Sequence, residues 1–427
     1  MKFPLWFIFV LMFALAAVVF GQVKEDLEIT EEEPEKKLEW NGNLDVKYSL
    51  FNMDQNSALY KLQFFKNPPS SSLFSQYRLE PYLNAEYRTS DLGFVLKTHA
   101  SYYSDTNSRF DLFEAYASFS PSFNTNLQAG KRVYSWGKGY AFNPVGFVNP
   151  VKDPENPELA QAGLLSANIE YVKSFSSDAL QSFSFLAVLI PTSDIAGTSF
   201  GEFNNTDIAL KSSLLLWDTD VDLFAYYSVK KPKRFGFDFA RNIQDNIEIH
   251  GELSYNQNAD RFTIVNGSLS SARVDEYSFL LGLRYLDASN TTIIAEYYHS
   301  GAGLSKDEYY QYSQFLNNGA ENINPIVTQQ TLGVSQTYFR GTTLMQDYLY
   351  LKISQPEPFD WLYFTPSLYT IYNLTDNSFL LSFYMSYKPI TNTEFIFWTT
   401  MFAGDNTTEY GAKQVQQRTE LWMRVFF

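Results

Sequence analysis

The sequence has no cysteine in its 427 residues and only three histidines. The lack of cysteine excludes a disulfide scaffold, a lipid anchor on an N-terminal cysteine and every thiolate metal site. Three histidines provide few imidazole groups for catalysis or metal binding. No GK[ST] motif follows a glycine-rich turn, so no nucleotide-binding site is implied. The sequence therefore predicts no metal, no cofactor, no catalytic residues and no enzyme.

A basic surface and a second long apolar run are also lacking. The formal net charge is -15, which argues against a nucleic-acid partner because such binding needs concentrated basic side chains. After the N-terminus no segment approaches the roughly 18 consecutive apolar residues typical of a membrane-spanning helix. The folded part is thus expected to contain no transmembrane helix.

The N-terminus begins MKFPLWFIFVLMFALAAVVFGQ, with one lysine before a long apolar run. This pattern predicts a signal peptide over residues 1–21, cleaved after Gly21. An uncleaved anchor is the alternative, since about 18 apolar residues could span a bilayer. Residues 22–37 carry seven acidic residues against three lysines and are predicted to form a disordered periplasmic tail.

The remaining chain, residues 38–427, is dominated by long segments of period two. In LEWNGNLDVKYSLFN, Leu38, Trp40 and Leu44 alternate with polar residues over about a dozen positions. Strands of globular proteins usually have about five or six residues, whereas about 9 to 11 cross a bilayer at a tilt. Aromatic residues, 18% of the chain, suit strands and membrane interfaces.

Segments of this kind recur about 18 times along the chain, with an uncertainty of about two. Helix-period segments are almost absent, and no fixed-length repeat supports a β-helix or a propeller. The sequence therefore predicts an all-β fold: a transmembrane antiparallel up-and-down β-barrel of about 16 to 18 strands.

The connection lengths support this topology. If the N-terminus is periplasmic, the even-numbered connections are short turns, as outer-membrane barrels require. Most odd-numbered connections are long, although those near residues 106, 231 and 375 are short. The predicted long outer loops are 53–72, 137–162, 191–203, 258–273, 301–343 and 404–415.

The polar face of the strands carries charges of both signs. On the lipid face Arg or Lys would cost roughly 2 to 4 kcal/mol at the midplane, so these side chains are predicted to line a water-filled interior. They either set solute preference or form cross-strand pairs that only solvate the wall. The candidate lining residues are Arg78, Glu80, Glu86, Arg88, Lys97, Glu114, Arg132, Glu248, Glu252, Arg284, Glu296, Lys352, Glu394, Arg418, Glu420 and Arg424.

Two long connections are candidates for a constriction or a lid. The segment from Trp136 to Gly163 contains four prolines and cannot continue as paired strand. It could fold inward, form an ordered surface loop or dock another protein. The segment 301–343 is rich in Asn, Gln and Tyr, which could bind sugars or peptides, although polar loops commonly have this composition.

The whole chain after the signal peptide resembles bacterial outer-membrane porin-like barrels. In addition, GKRVYSWGKGYAFNPVGFVNP resembles a GxQ…WG…NP segment of several poorly characterised barrel families, with Lys131 and Arg132 in place of the usual glutamine. The resemblance implies an outer-membrane location in a bacterium with a two-membrane envelope, and a monomer or a homotrimer. It supports the architecture more than any substrate.

The chain stops on RTELWMRVFF, which alternates like a strand and ends at Phe427. This strand is predicted to pair with the segment from Leu38 to Asn52 and close the ring. Phe427 resembles the terminal signal recognised by the barrel-assembly machinery.

Together these features predict an outer-membrane pore for passive or weakly selective diffusion of small hydrophilic solutes or ions. The acidic balance suggests a mild cation preference. The alternative is a structural or surface-binding barrel with an occluded lumen.

Overall fold

The computed structural model describes residues 37–427 apart from 106–107, 151, 157–160, 192–205 and 342. The predicted signal peptide and residues 22–36 of the predicted tail lie outside the described residues. In the part of the chain that is described, no helix is long and apolar enough to cross a membrane.

The described residues form one antiparallel sheet of 18 strands that closes on itself. Each strand pairs with the next, and β18 pairs with β1, so that Asn43 lies opposite Phe426. The predicted up-and-down barrel and its closing seam are confirmed. The strands are β1 Lys37–Met53, β2 Leu73–Arg88, β3 Leu92–Tyr103, β4 Arg109–Ser122, β5 Thr125–Arg132, β6 Leu164–Ser174, β7 Leu180–Ile190, β8 Asp207–Leu216, β9 Thr219–Tyr227, β10 Lys233–Gln244, β11 Ile247–Val265, β12 Ser268–Leu286, β13 Thr292–His299, β14 Asp347–Ser354, β15 Phe364–Asn373, β16 Phe379–Ile390, β17 Thr393–Ala403 and β18 Val415–Phe426.

Alternation along each strand separates an inner from an outer face. In β1, Asp45 and Ser49 are fully buried, whereas Val46 between them is 39% exposed on the outside. Successive side chains of a strand point to opposite faces, so polar residues at every second position line the interior and apolar ones form the outer surface.

Among the described residues, three helices lie in the long odd-numbered connections: α1 Ala58–Phe64, α2 Lys306–Ala320 and α3 Pro325–Tyr338. The expectation that helices are almost absent overlooked their start signals. Ser305 and Glu308 form a capping box at the start of α2. Asn324 caps α3, with Pro325 at its first position. A short 3₁₀ turn, Pro358–Asp360, follows β14.

The predicted outer loop at 258–273 is wrong, because this segment is strand. β11 and β12 continue to Val265 and from Ser268, each 19 residues long, and are joined only by Asn266 and Gly267. Both turn residues have positive φ, 51° and 74°, as a tight two-residue hairpin turn requires. This β11–β12 ribbon is far longer than the roughly 9 to 11 residues that cross a bilayer. The part of the ribbon near the turn therefore has no side that faces lipid, and its sequence lacks the polar–apolar alternation of a membrane-spanning strand.

Gly42 should be essential for closing the barrel. Its N–H and C=O exchange hydrogen bonds of 3.0 Å with Phe427. A Cβ at this position would lie 2.2 Å from the carbonyl oxygen of Tyr82 and 2.7 Å from the Phe427 ring. We expect Gly42→Ala to lower the fraction of protein that folds, measured as the compact band on an unheated SDS gel.

Gly333→Ala in α3 is the matched control, since a Cβ there meets nothing within 4 Å. It should leave folding unchanged or stabilise α3 slightly, because Gly costs about 0.5 to 1 kcal/mol relative to Ala in a helix. Equal folded fractions for the two variants would show that close packing at Gly42 does not matter for closure.

Candidate functional site

The connection between β5 and β6, residues 133–163, is called the inward loop, because its described residues fold into the barrel. Trp136 is 2% exposed, and Ala141 and Val145 are fully buried. Tyr140 and Ala141 donate backbone N–H groups to Glu296 of β13, at 2.5 and 2.8 Å. Of the three arrangements considered for this segment, the structure therefore has the inward one.

A second wall carboxylate, Glu252 of β11, holds the same loop. Its Oε1 accepts the N–H groups of Lys138 and Gly139, both at 2.6 Å, and its Oε2 accepts that of Val145 at 3.2 Å. Glu252 is 3% exposed and Glu296 is 1% exposed. Hydrogen bonds to charged groups contribute about 1.5 to 3 kcal/mol each, so these two carboxylates anchor the loop firmly.

Glycine makes this close approach possible. Gly137 has φ of 96°, and a Cβ there would lie 2.6 Å from Glu252 Oε1. At Gly139 a Cβ would lie 2.1 Å from the Phe142 carbonyl oxygen. The WGKG sequence therefore presents successive N–H groups to one carboxylate because no side chain obstructs the approach.

Apolar packing holds the rest of the inward loop against the wall. Trp136, Val145 and Phe147 form a buried cluster with the inner faces of β7 to β9. Ala141 and Phe142 belong to a larger buried cluster that includes inner residues of β12 to β17 and residues of α1 and α2. Much of the interior on these sides of the barrel is thus filled by side chains.

These inner apolar residues were not predicted as a feature of the interior. They include Val188, Ile190, Phe224, Leu280, Ile371 and Leu380. A signal for them exists in β7, because FSFLAVLI has apolar residues on both faces. Strands buried on both faces have near-continuous apolar runs of this kind.

A cavity of about 440 Å³ remains between the inward loop and the wall made by β17, β18 and β1 to β4. Among the described residues, four cations and four carboxylates line it: Lys47, Arg78, Arg109, Arg418, Glu80, Asp111, Asp153 and Glu420. Its aromatic lining residues are Tyr82, His99, Tyr103, Phe113, Trp398 and Trp422.

A second cavity of about 310 Å³ lies along β3 and β4 beside the same loop. It is lined by Lys97, Glu114 and Lys152, among others. Phe113 and Gln161 line both cavities, so the two spaces adjoin at these side chains.

Most charges of the larger cavity are paired with one another. Lys47 Nζ lies 2.5 Å from Glu80, Arg78 lies 2.6 Å from Glu420 and Arg109 lies 2.8 Å from Asp111. The first pair joins β1 to β2, and the second joins β2 to β18 across the closing seam. They support the interpretation of the inner charges as cross-strand pairs, which neutralise the wall while keeping it hydrophilic.

The predicted lining residues fall into several groups. Those at the cavities are Arg78, Glu80, Arg418 and Glu420, with Lys97 and Glu114, which pair with each other. Those that hold the inward loop are Glu252 and Glu296. Those paired with another wall charge are Glu86 with Arg88, Glu248 with Arg284, and Arg424 with Asp45 and Glu394. Arg132 lies over the Tyr116 and Tyr134 rings, and Lys352 is partly buried in β14.

Several residues of the site were missed as candidates. Lys47 stood on the polar face of β1 and could have been selected by the same alternation. Asp111 and Phe113 could not, because a register shift after Lys97 reverses the parity of β4 at this point. Asp153 belongs to the inward loop, whose position depends on distant strands.

Helices α1, α2 and α3 pack together at the end of the barrel where the long connections lie. Leu62, Tyr309 and Leu316 are each at most 4% exposed in their common cluster. The β17–β18 loop, residues 404–414, joins this assembly through Glu409. The Glu409 carboxylate accepts the Leu344 N–H at 2.5 Å and the Tyr348 hydroxyl at 2.6 Å.

Comparison with known proteins places the fold among the porins. No protein-family model matches this chain, and no curated protein matches it. A BenF-like porin from Pseudomonas fluorescens Pf-5 is similar in structure with a TM-score of 0.55 at 9% identity, covering 92% of this chain and 99% of the porin. Two Pseudomonas aeruginosa proteins are also similar: OccK2 (OpdF), solved with glucuronate, with a TM-score of 0.54 at 9% identity and coverage of 91% and 98%, and OccK8 (OprE), with 0.53 at 10% identity and coverage of 91% and 97%.

The protein thus has the closed barrel fold of these porins. At identities of 9 to 10% the likeness concerns the fold alone.

Removing both anchoring carboxylates should release the inward loop. In the Glu252→Ala/Glu296→Ala variant five buried N–H groups lose their acceptors, each at a cost of about 1 to 3 kcal/mol. We expect cleavage by trypsin after Lys138 in the folded protein to become faster by roughly tenfold or more. Mass spectrometry of timed digests measures this rate.

Glu248→Ala is the control, because Glu248 lies on the same strand and pairs with Arg284 rather than with the loop. If it accelerates cleavage as much as the double variant, the two anchors do not hold the loop.

The mouth assembly should be sensitive to pH through Glu409. Burial raises the pKa of Glu409 to about 7, although the Tyr348 hydroxyl and the Leu344 N–H oppose the shift. A raised carboxyl pKa means that the folded protein binds this proton more tightly than the unfolded chain. The resulting stability, at most about 3 kcal/mol, is present at acid pH and is lost as the pH rises through 7.

We therefore expect the temperature at which the compact band converts to the unfolded band to fall between pH 5 and pH 8. Glu409→Gln should reduce that fall, whereas Glu321→Gln, at an exposed position of the same assembly, should not. An unchanged pH dependence in Glu409→Gln would assign the effect to other groups.

Proposed function

We propose that this protein is an outer-membrane pore of a bacterium with a two-membrane envelope, through which small hydrophilic solutes or ions diffuse passively. The observation that carries the proposal is the pair of adjoining hydrophilic cavities left between the inward loop and the wall of β1 to β4. They lie inside a closed barrel, where backbone groups are satisfied around the ring.

The outer surface supports a membrane location. Leu83, Leu96, Leu253 and Leu281 are each at least 41% exposed on four different strands. Such a continuous apolar exterior would be unfavourable in water but matches the hydrocarbon of a bilayer. Outer-membrane lipid is therefore the main partner of this surface.

Passage requires no covalent chemistry and no bound group. The solute diffuses past paired charges that stay hydrated, and the inward loop restricts the width of the route. Because the described residues around the larger cavity include equal numbers of cations and carboxylates, selectivity by charge is weak, and any cation preference comes from the acidic chain as a whole.

Assembly involves the end of the chain. Phe427 rests against Gly42 at the closing seam and acts as the signal for the barrel-assembly machinery. The assembled protein is either a monomer or a homotrimer.

A structural or surface-binding barrel with an occluded lumen is the second candidate. It is favoured by the extent to which the inward loop and the mouth helices fill the interior beside β7 to β17. The two candidates differ in one measurable property, the passage of ions.

A pore should give discrete ion-conducting steps when the purified full-length protein is added to a planar lipid bilayer. We expect Arg78→Glu to shift the reversal potential under a salt gradient toward cation selectivity, because Arg78 lines the larger cavity. Arg273→Glu makes the same charge change on the exposed β11–β12 ribbon and should leave the potential nearly unchanged.

Well-folded protein without conducting steps would exclude the pore and favour the occluded barrel. Steps whose reversal potential is the same in wild type and Arg78→Glu would place the ion path away from the larger cavity.

A further inference from the structure

We propose that the larger cavity binds a neutral polyhydroxylated solute, a monosaccharide or a disaccharide, during its passage. This inference rests on the proposed pore function and assigns a substrate class to that site. It depends on three features of the cavity: its balanced charges, its aromatic strip and its polar atoms without partners.

The charges favour a solute without net charge. Among the described lining residues, four cations face four carboxylates, and Lys47, Arg78 and Arg109 already have carboxylate partners at 2.5 to 2.8 Å. A charged solute that bound one of these six side chains would have to separate its pair and leave a wall charge uncompensated. The two remaining described charges, Arg418 and Asp153, are opposite in sign, so together they add no net charge to the cavity. Hydroxyl groups can bond to the outer lone pairs and N–H groups of intact pairs.

Aromatic rings supply an apolar strip on the same wall. Tyr82 stacks on His99 with ring centroids 4.4 Å apart, and His99 stacks on Phe113 at 5.0 Å. Trp398 and Trp422 lie 5.9 Å apart on β17 and β18. A sugar ring has an apolar face of C–H groups and a rim of hydroxyls, so it can contact both the strip and the charges around it.

Buried polar atoms at this wall have no hydrogen-bond partner within the described part of the chain. They are Arg78 Nε, Arg418 Nη2 and both ring nitrogens of His99, which lie 3.8 Å from carboxylate oxygens of Glu80 and Asp111. Arg418 stacks on Trp398 at 4.7 Å, which fixes its guanidinium beside the cavity. A hydroxyl both donates and accepts, so a sugar can satisfy a guanidinium N–H and a neighbouring carboxylate at once.

The size of the space fits this class. About 440 Å³ lies within the range of roughly 300 to 1,000 Å³ found for small-molecule sites. The second cavity begins at Phe113 and Gln161, so a bound sugar would leave past the ring of Phe113. Phe113 is therefore the side chain that should matter most for both binding and passage.

The test measures block of the ion current by sugars in the planar bilayer. D-glucose and sucrose are added to single channels of the full-length protein, with glycylglycine as a zwitterionic comparator of similar size. We expect saturable block by the sugars and weaker block by glycylglycine. Phe113→Ala should raise the half-blocking sugar concentration roughly three- to tenfold, as expected for loss of one aromatic contact.

Phe119→Ala is the matched control, since Phe119 lies on the outer face of the same strand and is 43% exposed. It should leave the block unchanged. Phe113→Leu, which keeps apolar bulk, provides a second variant if Phe113→Ala folds poorly, and it should also weaken the block.

The outcomes separate this inference from the pore itself. Channels that conduct but show no sugar block would overturn the sugar site and leave the pore in place, whereas absence of conduction would overturn both. Stronger block by glycylglycine than by the sugars would overturn the assignment of a neutral sugar and indicate that the cavity prefers a zwitterionic solute. Equal sugar block in wild type, Phe113→Ala and Phe113→Leu would remove the assignment to this cavity.

Discussion

The interior of this barrel depends on the hydrogen bonds between the inward loop and two wall carboxylates. A proline-rich segment without regular structure cannot satisfy its own backbone, and buried N–H groups need acceptors. Buried carboxylates, in turn, are unfavourable without donors. Glu252 and Glu296 accept five N–H groups of the loop. The carboxylates thus supply the acceptors that the loop backbone needs, and the loop supplies the donors that the buried carboxylates need.

The position of the loop divides the lumen into a filled part and an open part. Beside β7 to β17, apolar residues of the inner wall are covered by the loop and the mouth helices. Leaving them in contact with water would cost about 25 cal/mol for each Å² of apolar surface. Beside β1 to β4 the paired charges of the wall are not covered in this way, and there the space stays open.

The parts of this arrangement that follow from local pattern could be predicted from the sequence. Alternation in β1 and β18 predicts their inner and outer faces, and their pairing follows from the need to close the sheet. Short turns between long strands predict the up-and-down order. The start of α2 was also predictable in principle, from the capping box of Ser305 and Glu308.

Features that depend on distant contacts could not be predicted in this way. Nothing within 133–163 shows that its acceptors are Glu252 and Glu296, more than a hundred residues further along the chain. The parity of Phe113 depends on a bulge whose position no side chain marks. The ribbon at 258–273 was mistaken for a loop because its alternation stops where the lipid-facing side ends.

The far end of the inward loop is tied to the mouth of the barrel as well. Glu155 lies 2.6 Å from Lys413 of the β17–β18 loop, and its carbonyl oxygen accepts the Tyr369 hydroxyl at 2.5 Å. The inward loop is therefore held by β11, β13 and β15. It is also held by the β17–β18 loop, which Glu409 joins to the helices at the end of the barrel. A boundary fixed at so many points, opposite a hydrogen-bonded sheet, keeps its shape, so the fold itself sets the width of the cavity between them.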